Sequence, residues 1–259
     1  MNTNQNMQNK NKKLDTLLPY GLLVTRQYLL SCGMNRHAID NAVKSGKILA
    51  ILRGVYARGK VPLDWQGLMT SLNIMAVDRS VYVGGVSALE LSGLGHYLQN
   101  PSKLNIYCQN PKPSWLAYLD LSTEFTWYKT KRIWQDTLLR TDKHLNHVHW
   151  REDLPSYLLA SNEQACLEFL ATVPNVVSFE HADLLFQGLT SLSPRKINIM
   201  LQHCKNIKAK RLFFWFAKRH GFQWSKRLSY HDYDLGSGKR VIAENGIFDR
   251  ELLITVAKL

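Results

Sequence analysis

Three carboxylates near the C-terminal end form the nearest approach to a catalytic centre in the sequence. Asp232 and Asp234 alternate on a predicted strand, and Glu244 follows on another. Grouped carboxylates of this kind hold Mg²⁺ in nucleases, usually as an Asp followed by Glu-x-Lys on adjacent strands. That pairing is missing here. A nuclease-like C-terminal domain therefore stays open as an alternative that depends on these three residues.

Three histidines lie close enough in the sequence to be considered as metal ligands: His144, His147 and His149. Neutral imidazoles at alternating positions of a strand can share a metal ion, but only His147 and His149 would share a face. No carboxylate or cysteine stands at ligand spacing beside them. We therefore expect exposed histidines and no metal site.

Other patterns that carry catalysis are missing. The sequence contains no Gly-x-Ser-x-Gly elbow, no His-Glu-x-x-His pair and no kinase-like set. Gly84-Gly85 follow a predicted strand, but the run GGVSALELSGLG lacks the lysine and the spacing of a phosphate-binding loop. The cysteines are too widely spaced for a zinc ribbon or a redox pair. We expect a binding protein with no catalytic residue and no cofactor.

The charge balance indicates a polyanionic partner. The 259 residues include 33 Lys and Arg against 20 Asp and Glu, a formal net charge of +13. Such a surface attracts nucleic acid or acidic protein faces, although excess lysine also serves solubility alone. Residues 1–13 are rich in Asn, Gln and Lys with no apolar core, so we expect a disordered tail, no secretory signal and a cytoplasmic protein.

Residues 14–60 carry the clearest local pattern. Thr25 is a suitable N-cap for a short helix, Gly33 interrupts the pattern, and Asn35 can cap a second helix from Arg36 to Lys44. Apolar residues at helical spacing give each helix a stripe that faces the core. The pattern predicts a helix-turn-helix whose second helix turns its polar residues outwards.

A predicted hairpin follows these helices directly. Ile48 to Leu52 and Val55 to Ala57 are strand-like runs, and Arg53-Gly54 between them permits the positive φ of a tight turn. This hairpin would be the wing of a winged helix-turn-helix DNA-binding domain. The same small scaffold also serves protein contacts, and that alternative stays open at this point.

Residues 61–259 predict a larger α+β domain with a small sheet and several helices. Strands are expected at 81–83, 103–108, 124–128 and 138–141, and helices at 64–76, 87–91, 163–172, 179–189, 193–204 and 209–220. Residues 228–259 return to strand-like composition with a bend at Asn245-Gly246. We expect this closing region to pair with the middle sheet.

The C-terminal helices are rich in positive charge, with no Asp or Glu between Arg195 and Arg227. Aromatic residues 213–216 are interleaved with the charges, a mixture suited to stacking on single-stranded nucleic acid or to anchoring a protein partner. A solvated charge run is the plainer interpretation. The interpretation we favour is a second basic face, made of Arg195, Lys196, Lys205, Lys208, Lys210, Arg211, Lys218 and Arg219.

The N-terminal region resembles the winged-helix domain of the AbiEi antitoxin family over GLLVTRQYLLSCGMNRHAIDNAVKSGKILAILRGVYARG. The resemblance follows the spacing from Arg36-His37 through Ser45-Gly46 to Arg53-Gly54. The segment that follows the domain in AbiEi proteins resembles VYVGGVSALELSGLGHYL, and their closing strands resemble LGSGKRVIAENGIFDRELLITV. The resemblance thus includes the N-terminal domain, the middle of the chain and the C-terminal strands.

The resemblance implies an antitoxin of a type IV toxin–antitoxin, or abortive-infection, system. Such a protein represses its own operon by binding inverted repeats in double-stranded DNA, and it counteracts a nucleotidyltransferase-like AbiEii toxin with or without direct contact. A transcriptional regulator without antitoxin activity is the remaining alternative. The residues that match the recognition helix and wing are Arg36, His37, Asn41, Lys44, Lys47, Arg53 and Arg58.

Overall fold

The computed structural model describes residues 14–59, 62–76, 80–94 and 101–259. The chain divides into two units. The first runs to Val81 and takes in Pro111–Glu124 and His147–Leu158, and the second holds Tyr82–Asn110, Phe125–Asn146 and Leu159–Leu259. The tail predicted over residues 1–13 and the domain boundary predicted between residues 60 and 61 lie outside the described residues.

The first unit contains a winged-helix arrangement. Its elements are β1 (Leu23–Thr25), α1 (Arg26–Ser31), α2 (Arg36–Lys44), β2 (Leu49–Leu52) and β3 (Val55–Ala57). The strands form an antiparallel sheet in the order β1-β3-β2. Thr25 Oγ1 accepts from the backbone nitrogen of Tyr28 at 3.2 Å, and Asn35 Oδ1 accepts from that of Ala38 at 2.7 Å. The predicted caps therefore start both helices. The two helices and the hairpin follow in the predicted order, whereas β1 was not predicted.

Buried aliphatic residues form a core in the winged-helix part of this unit. Leu18, Leu22, Leu29, Ile39 and Ile48 are at most 1% exposed and belong to one cluster. Removing each such side chain from water contributes about 1.5–3 kcal/mol. This cluster packs α1 and α2 against the wing and so determines which face of α2 remains outside.

α3 (Trp65–Met75) follows the wing and is tied to its sheet. Asp64 caps this helix by accepting from the backbone nitrogen of Gly67 at 2.6 Å. Ser71 Oγ accepts from the backbone nitrogen of Leu23 at 2.9 Å. The helix predicted at 64–76 is therefore confirmed, and it contacts β1.

A five-stranded sheet forms in the middle of the chain. Its strands are β4 (Tyr82–Val83), β5 (Lys103–Cys108), β6 (Glu124–Lys129), β7 (Leu145–Val148) and β8 (Tyr157–Ala160), in the order β6-β5-β4-β8-β7. The first three confirm predicted strands. The strand predicted at 138–141 is wrong, because Leu138–Arg140 form a 3-10 helix. β7 and β8 have no counterpart among the predicted strands, and the four buried residues of β8 show no alternation that marks a strand.

The helices of the second unit lie close to their predicted bounds. They are α4 (Gly85–Leu89), α5 (Asn162–Leu170), α6 (Phe179–Gln187), α7 (Pro194–His203) and α8 (Ile207–His220). The last four begin at side-chain caps, which are Ser161, Ser178, Ser193 and Asn206. Among the described residues, none of the helices combines the length and the apolar character needed to cross a membrane.

The closing strands form a sheet of their own. β9 (Arg240–Val241), β10 (Ile247–Asp249) and β11 (Ile254–Val256) pair in the order β10-β11-β9. The expectation that they join the middle sheet is wrong. A buried cation holds this region instead, because Arg211 of α8 donates to the carbonyl oxygens of Leu235, Gly236, Gly238 and Leu253 at 2.8–3.0 Å.

Candidate nucleic-acid interface

The outer face of α2 carries four of the polar residues predicted to contact DNA. Ile39 is buried, whereas Arg36, His37, Asn41 and Lys44 are exposed. His37, Asn41 and Lys44 are spaced by four and three residues, so they follow one another along one side of the helix. The structure therefore brings these residues together on a single exposed surface.

The turn between α1 and α2 sets the direction of α2. The backbone nitrogen of Met34 donates to the carbonyl oxygen of Leu29 at 3.0 Å, which closes the turn around Gly33. A side-chain contact adds to this bond, because Arg26 at the start of α1 forms an ion pair with Asp40 of α2. Sequence reasoning missed this pair, which joins positions 14 residues apart.

The wing presents a predicted cation at its tip. Arg53 is exposed in the turn between β2 and β3. Gly54 beside it has a φ of 77°, in the left-handed region that favours glycine. The carbonyl oxygen of Gly54 accepts from the backbone nitrogen of Arg26 at 2.8 Å, so the wing turn is tied to the start of α1. Lys47, also exposed, precedes β2.

Arg58, the last residue predicted for the wing, is engaged within the protein. Its guanidinium pairs with Asp15 at 2.5 Å and lies 4.4 Å from the centre of the Tyr20 ring. Its side chain is only 21% exposed. A cation held by a carboxylate and an aromatic face has less charge to offer a phosphate. We therefore expect Arg58 to contribute less to a DNA interface than its place in the sequence suggests.

Positive charges outnumber negative charges in the described N-terminal segment. Residues 14–59 hold six arginines and lysines and two carboxylates. Both carboxylates, Asp15 and Asp40, pair with arginines. Four further cations of this segment are exposed: Arg36, Lys44, Lys47 and Arg53. An excess of exposed positive charge on one small segment is typical of a DNA-binding domain.

The carboxylates considered for Mg²⁺ are not grouped as a nuclease requires. Asp232 ends a short 3-10 helix, Asp234 accepts from the backbone nitrogen of Gly236 at 2.8 Å in a loop, and Glu244 is exposed outside the strands. The predicted alternation on a strand is therefore wrong. Across the described parts of the chain, no three His, Cys, Asp or Glu residues are placed to hold a metal ion.

His144 departs from the predicted exposure of the histidines. Its ring is partly buried, and neither ring nitrogen has a hydrogen-bond partner among the described residues. Burial lowers the pKa of His144 to about 4, from an ordinary value of 6.5. His147 and His149 are exposed, as predicted.

Two family models match successive parts of the chain. Residues 7–100 match the N-terminal domain of the AbiEi antitoxin transcriptional regulators. Residues 102–257 match the AbiEi antitoxin, a transcriptional regulator of type IV toxin–antitoxin systems. The chain belongs to the AbiEi antitoxin family. The resemblance read from the sequence is therefore confirmed.

A solved structure shares the fold of this AbiEi chain. The crystal structure of the RV2827C protein from Mycobacterium tuberculosis matches it with a TM-score of 0.50 at 14% sequence identity. The match covers 95% of this chain and 89% of that chain. At this identity the likeness concerns the fold alone. No curated protein matches the chain significantly.

Gly84 and Gly85, which follow β4 of the AbiEi chain, lie beside the buried carboxylate of Glu168. Glu168 of α5 accepts hydrogen bonds at 2.7–3.0 Å from the Tyr82 hydroxyl, the Gly85 backbone nitrogen, the Trp134 indole and the Gln164 amide. A Cβ at Gly84 would lie 2.3 Å from Glu168 Oε2. Burial raises the pKa of Glu168 to about 7 from 4.5. The Glu168 side chain thus fills the space beside the glycines. The sequence here also lacks the pattern of a phosphate-binding loop.

The predicted basic face of the AbiEi C-terminal helices is only partly exposed. Lys210 and Arg211 are 4% and 1% exposed, because this side of α8 packs into the interior. The prediction that Lys210 and Arg211 lie on an exposed face is therefore wrong. Lys208 is half-buried, and its ammonium donates to the carbonyl oxygen of Val173.

Two exposed members of the predicted face are ion-paired. Lys218 Nζ lies 2.5 Å from a carboxylate oxygen of Glu251, and Arg219 Nε lies 3.0 Å from one of Asp183. The exposed members without a carboxylate partner in the described part of the chain are Arg195, Lys196 and Lys205. The predicted basic face therefore carries fewer unpaired positive charges than its eight Lys and Arg residues would provide.

The aromatic run of α8 packs inside the second unit. Phe213 and Phe216 are fully buried, and their ring centres lie 5.9 and 5.3 Å from that of Phe186 on α6. Phe214 is also buried, whereas Trp215 is partly exposed. Three of the four rings therefore belong to the core, not to a surface for stacking on bases.

Proposed function

We propose that the chain represses transcription of its own operon by binding inverted repeats in its promoter. α2 would enter the major groove, and the wing would lie on the phosphate backbone. The observation that carries the proposal is the row of exposed polar residues on α2 beside the exposed cations of the wing region. Membership of a family of transcriptional regulators supports the same reading.

The side chains of this surface suit different groups of a DNA duplex. The amide of Asn41 matches the N6 and N7 edge of adenine, and the guanidinium of Arg36 matches guanine or a phosphate. Lys44, Lys47 and Arg53 would mainly neutralise the backbone. Recognition of the base sequence and positioning of the protein on the duplex would therefore depend on different residues.

We further propose that the chain counteracts a nucleotidyltransferase-like toxin encoded beside it. The support is the match of residues 102–257 to the antitoxin of type IV systems. In this proposal, residues 14–60 form the DNA-binding domain and residues 61–259 carry the antitoxin activity. The chain would act by binding, without a catalytic residue.

DNA binding is tested with the full chain and a fluorescent duplex of its own promoter. Asn41→Ala should weaken binding to this duplex by about 1–3 kcal/mol and change binding to a scrambled duplex little, because a base contact is lost. Lys44→Ala should weaken binding to both duplexes. Lys226→Ala removes an exposed lysine of the second unit and is the matched control. Normal binding by Asn41→Ala and by Lys44→Ala, as by the control, would contradict an interface on α2.

Antitoxin activity is tested by the growth of cells that express the neighbouring toxin together with the full chain. The double variant Lys44→Ala, Arg53→Ala should lose repression and still rescue growth, because its changes lie outside residues 61–259. Loss of rescue at normal expression would show that antitoxin activity needs DNA binding. If the wild-type chain does not rescue growth, the protein is a transcriptional regulator without activity against that toxin.

A further inference from the structure

Arg26 touches both elements that the proposed DNA-binding mode requires. Its backbone nitrogen donates to the carbonyl oxygen of Gly54 in the wing turn at 2.8 Å. Its guanidinium pairs with the carboxylate of Asp40 on α2. The first residue of α1 thus connects the wing to the recognition helix.

Asp40 stands between two cations of α2. It follows Arg36 by four residues and precedes Lys44 by four, the spacing at which side chains on a helix meet. Its side chain is 49% exposed. A carboxylate at this position can pair with either cation, and each such pair would remove one positive charge from the surface that faces DNA.

Neither competing pair forms in the structure. Arg26 holds Asp40, and within the described residues Arg36 and Lys44 have no carboxylate partner. Because Arg26 comes from another helix, it neutralises the carboxylate without using a cation of α2. The charges of Arg36 and Lys44 therefore remain available.

We propose that Arg26 is a positioning residue for DNA binding, which sequesters Asp40 so that Arg36 and Lys44 stay free to contact the duplex. The inference rests on the proposed function, since it requires that α2 faces DNA. Arg26 acts through Asp40, not through a contact of its own with phosphate.

Removal of Arg26 releases the carboxylate. In Arg26→Ala, Asp40 pairs with Arg36 or Lys44, so about one phosphate fewer is neutralised. The slope of log affinity against log salt concentration should then lose roughly 0.9, and affinity at low salt should fall about three- to tenfold. Fluorescence anisotropy with the full chain and the promoter duplex measures both quantities.

A double-mutant cycle separates this role from a direct contact. Asp40→Asn removes the carboxylate that Arg26 holds. In the Arg26→Ala background it should recover the lost affinity and the salt slope, and in the wild-type background it should raise affinity much less. Additive effects, with a salt slope that stays low in the double variant, would overturn the proposal and indicate that Arg26 itself contacts phosphate.

Asp153→Asn is the matched control for the change in net charge. Asp153 is exposed and also pairs with an arginine of the first unit, Arg151, at 2.8 Å. Its substitution should change affinity by the same factor in both backgrounds. An effect of Asp153→Asn as strong and as background-dependent as that of Asp40→Asn would overturn the proposal.

Arg26→Lys keeps a cation beside Asp40 and tests the proposal if Arg26→Ala does not fold. It should retain most of the affinity and the full salt slope, and loss of both in a folded Arg26→Lys protein would contradict the proposal. Failure of the proposed function gives another pattern, in which Lys44→Ala and Arg53→Ala leave DNA binding unchanged. If these two variants weaken binding while the cycle is additive, only the role of Arg26 is refuted.

Discussion

The Nη1 atom of Arg211 lies 2.8 Å from the carbonyl oxygen of Gly238. The side chain belongs to a helix rich in cations, yet it is 1% exposed. Its planar guanidinium donates to four backbone carbonyls of the segment before and within the closing sheet. Buried carbonyls need donors, and the arginine fork supplies several of them at once.

Arg211→Lys should lower the free energy of unfolding by about 2–4 kcal/mol, because one ammonium cannot replace the fork and leaves buried acceptors unpaired. Urea unfolding followed by circular dichroism measures the change. Arg195→Lys at an exposed position of α7 is the matched control, with an expected change within about 0.5 kcal/mol. An Arg211→Lys protein as stable as wild type would show that the carbonyls find other donors.

Glu168 should make the protein less stable as the pH rises towards neutrality. Its folded pKa of about 7 lies above the ordinary 4.5, so the folded chain keeps a proton that the unfolded chain releases. The stabilisation is complete below pH 4.5 and is lost as the pH rises through about 7, by up to roughly 1.4 kcal/mol per pH unit. Glu168→Gln does not titrate, so the stability gap between wild type and variant should shrink across this window. A constant gap would contradict the raised pKa.

His144 should act in the opposite direction. Its folded pKa of about 4 lies below the ordinary 6.5, so the unfolded chain takes up a proton first as the pH falls. The stabilisation is present above pH 6.5 and is lost as the pH falls towards 4. His144→Phe keeps a ring without a titrating group, so its stability relative to wild type should be greater at the acid end of this window. The same pH profile for both proteins would refute the lowered pKa.

Arg53→Ala should weaken DNA binding on every sequence and reduce its salt dependence. An exposed cation at the wing tip is placed to neutralise phosphate, and loss of one such contact lowers the salt slope by roughly 0.9. Anisotropy titrations at several salt concentrations measure the slope. Arg53→Lys retains the charge and should retain the slope. Unchanged affinity and slope in Arg53→Ala would remove Arg53 from the interface.

The sequence alone determined the two helices and the hairpin of the winged helix, and it placed the starts of the four C-terminal helices within two residues of those observed. Thr25 and Asn35 cap the helices that they precede, and Gly54 permits the wing turn in which it lies. Ser193 likewise begins α7. These signals were legible because each depends on contacts between near neighbours in the chain.

Only the tertiary structure decided which charges are free and which are used within the protein. Arg211 and Lys205 are six residues apart in one basic run, yet the first is buried and the second exposed. Asp40 is neutralised by Arg26, 14 residues away, instead of by the cations of its own helix. Burial and pairing depend on contacts between residues distant in sequence, and local spacing carries no information about them.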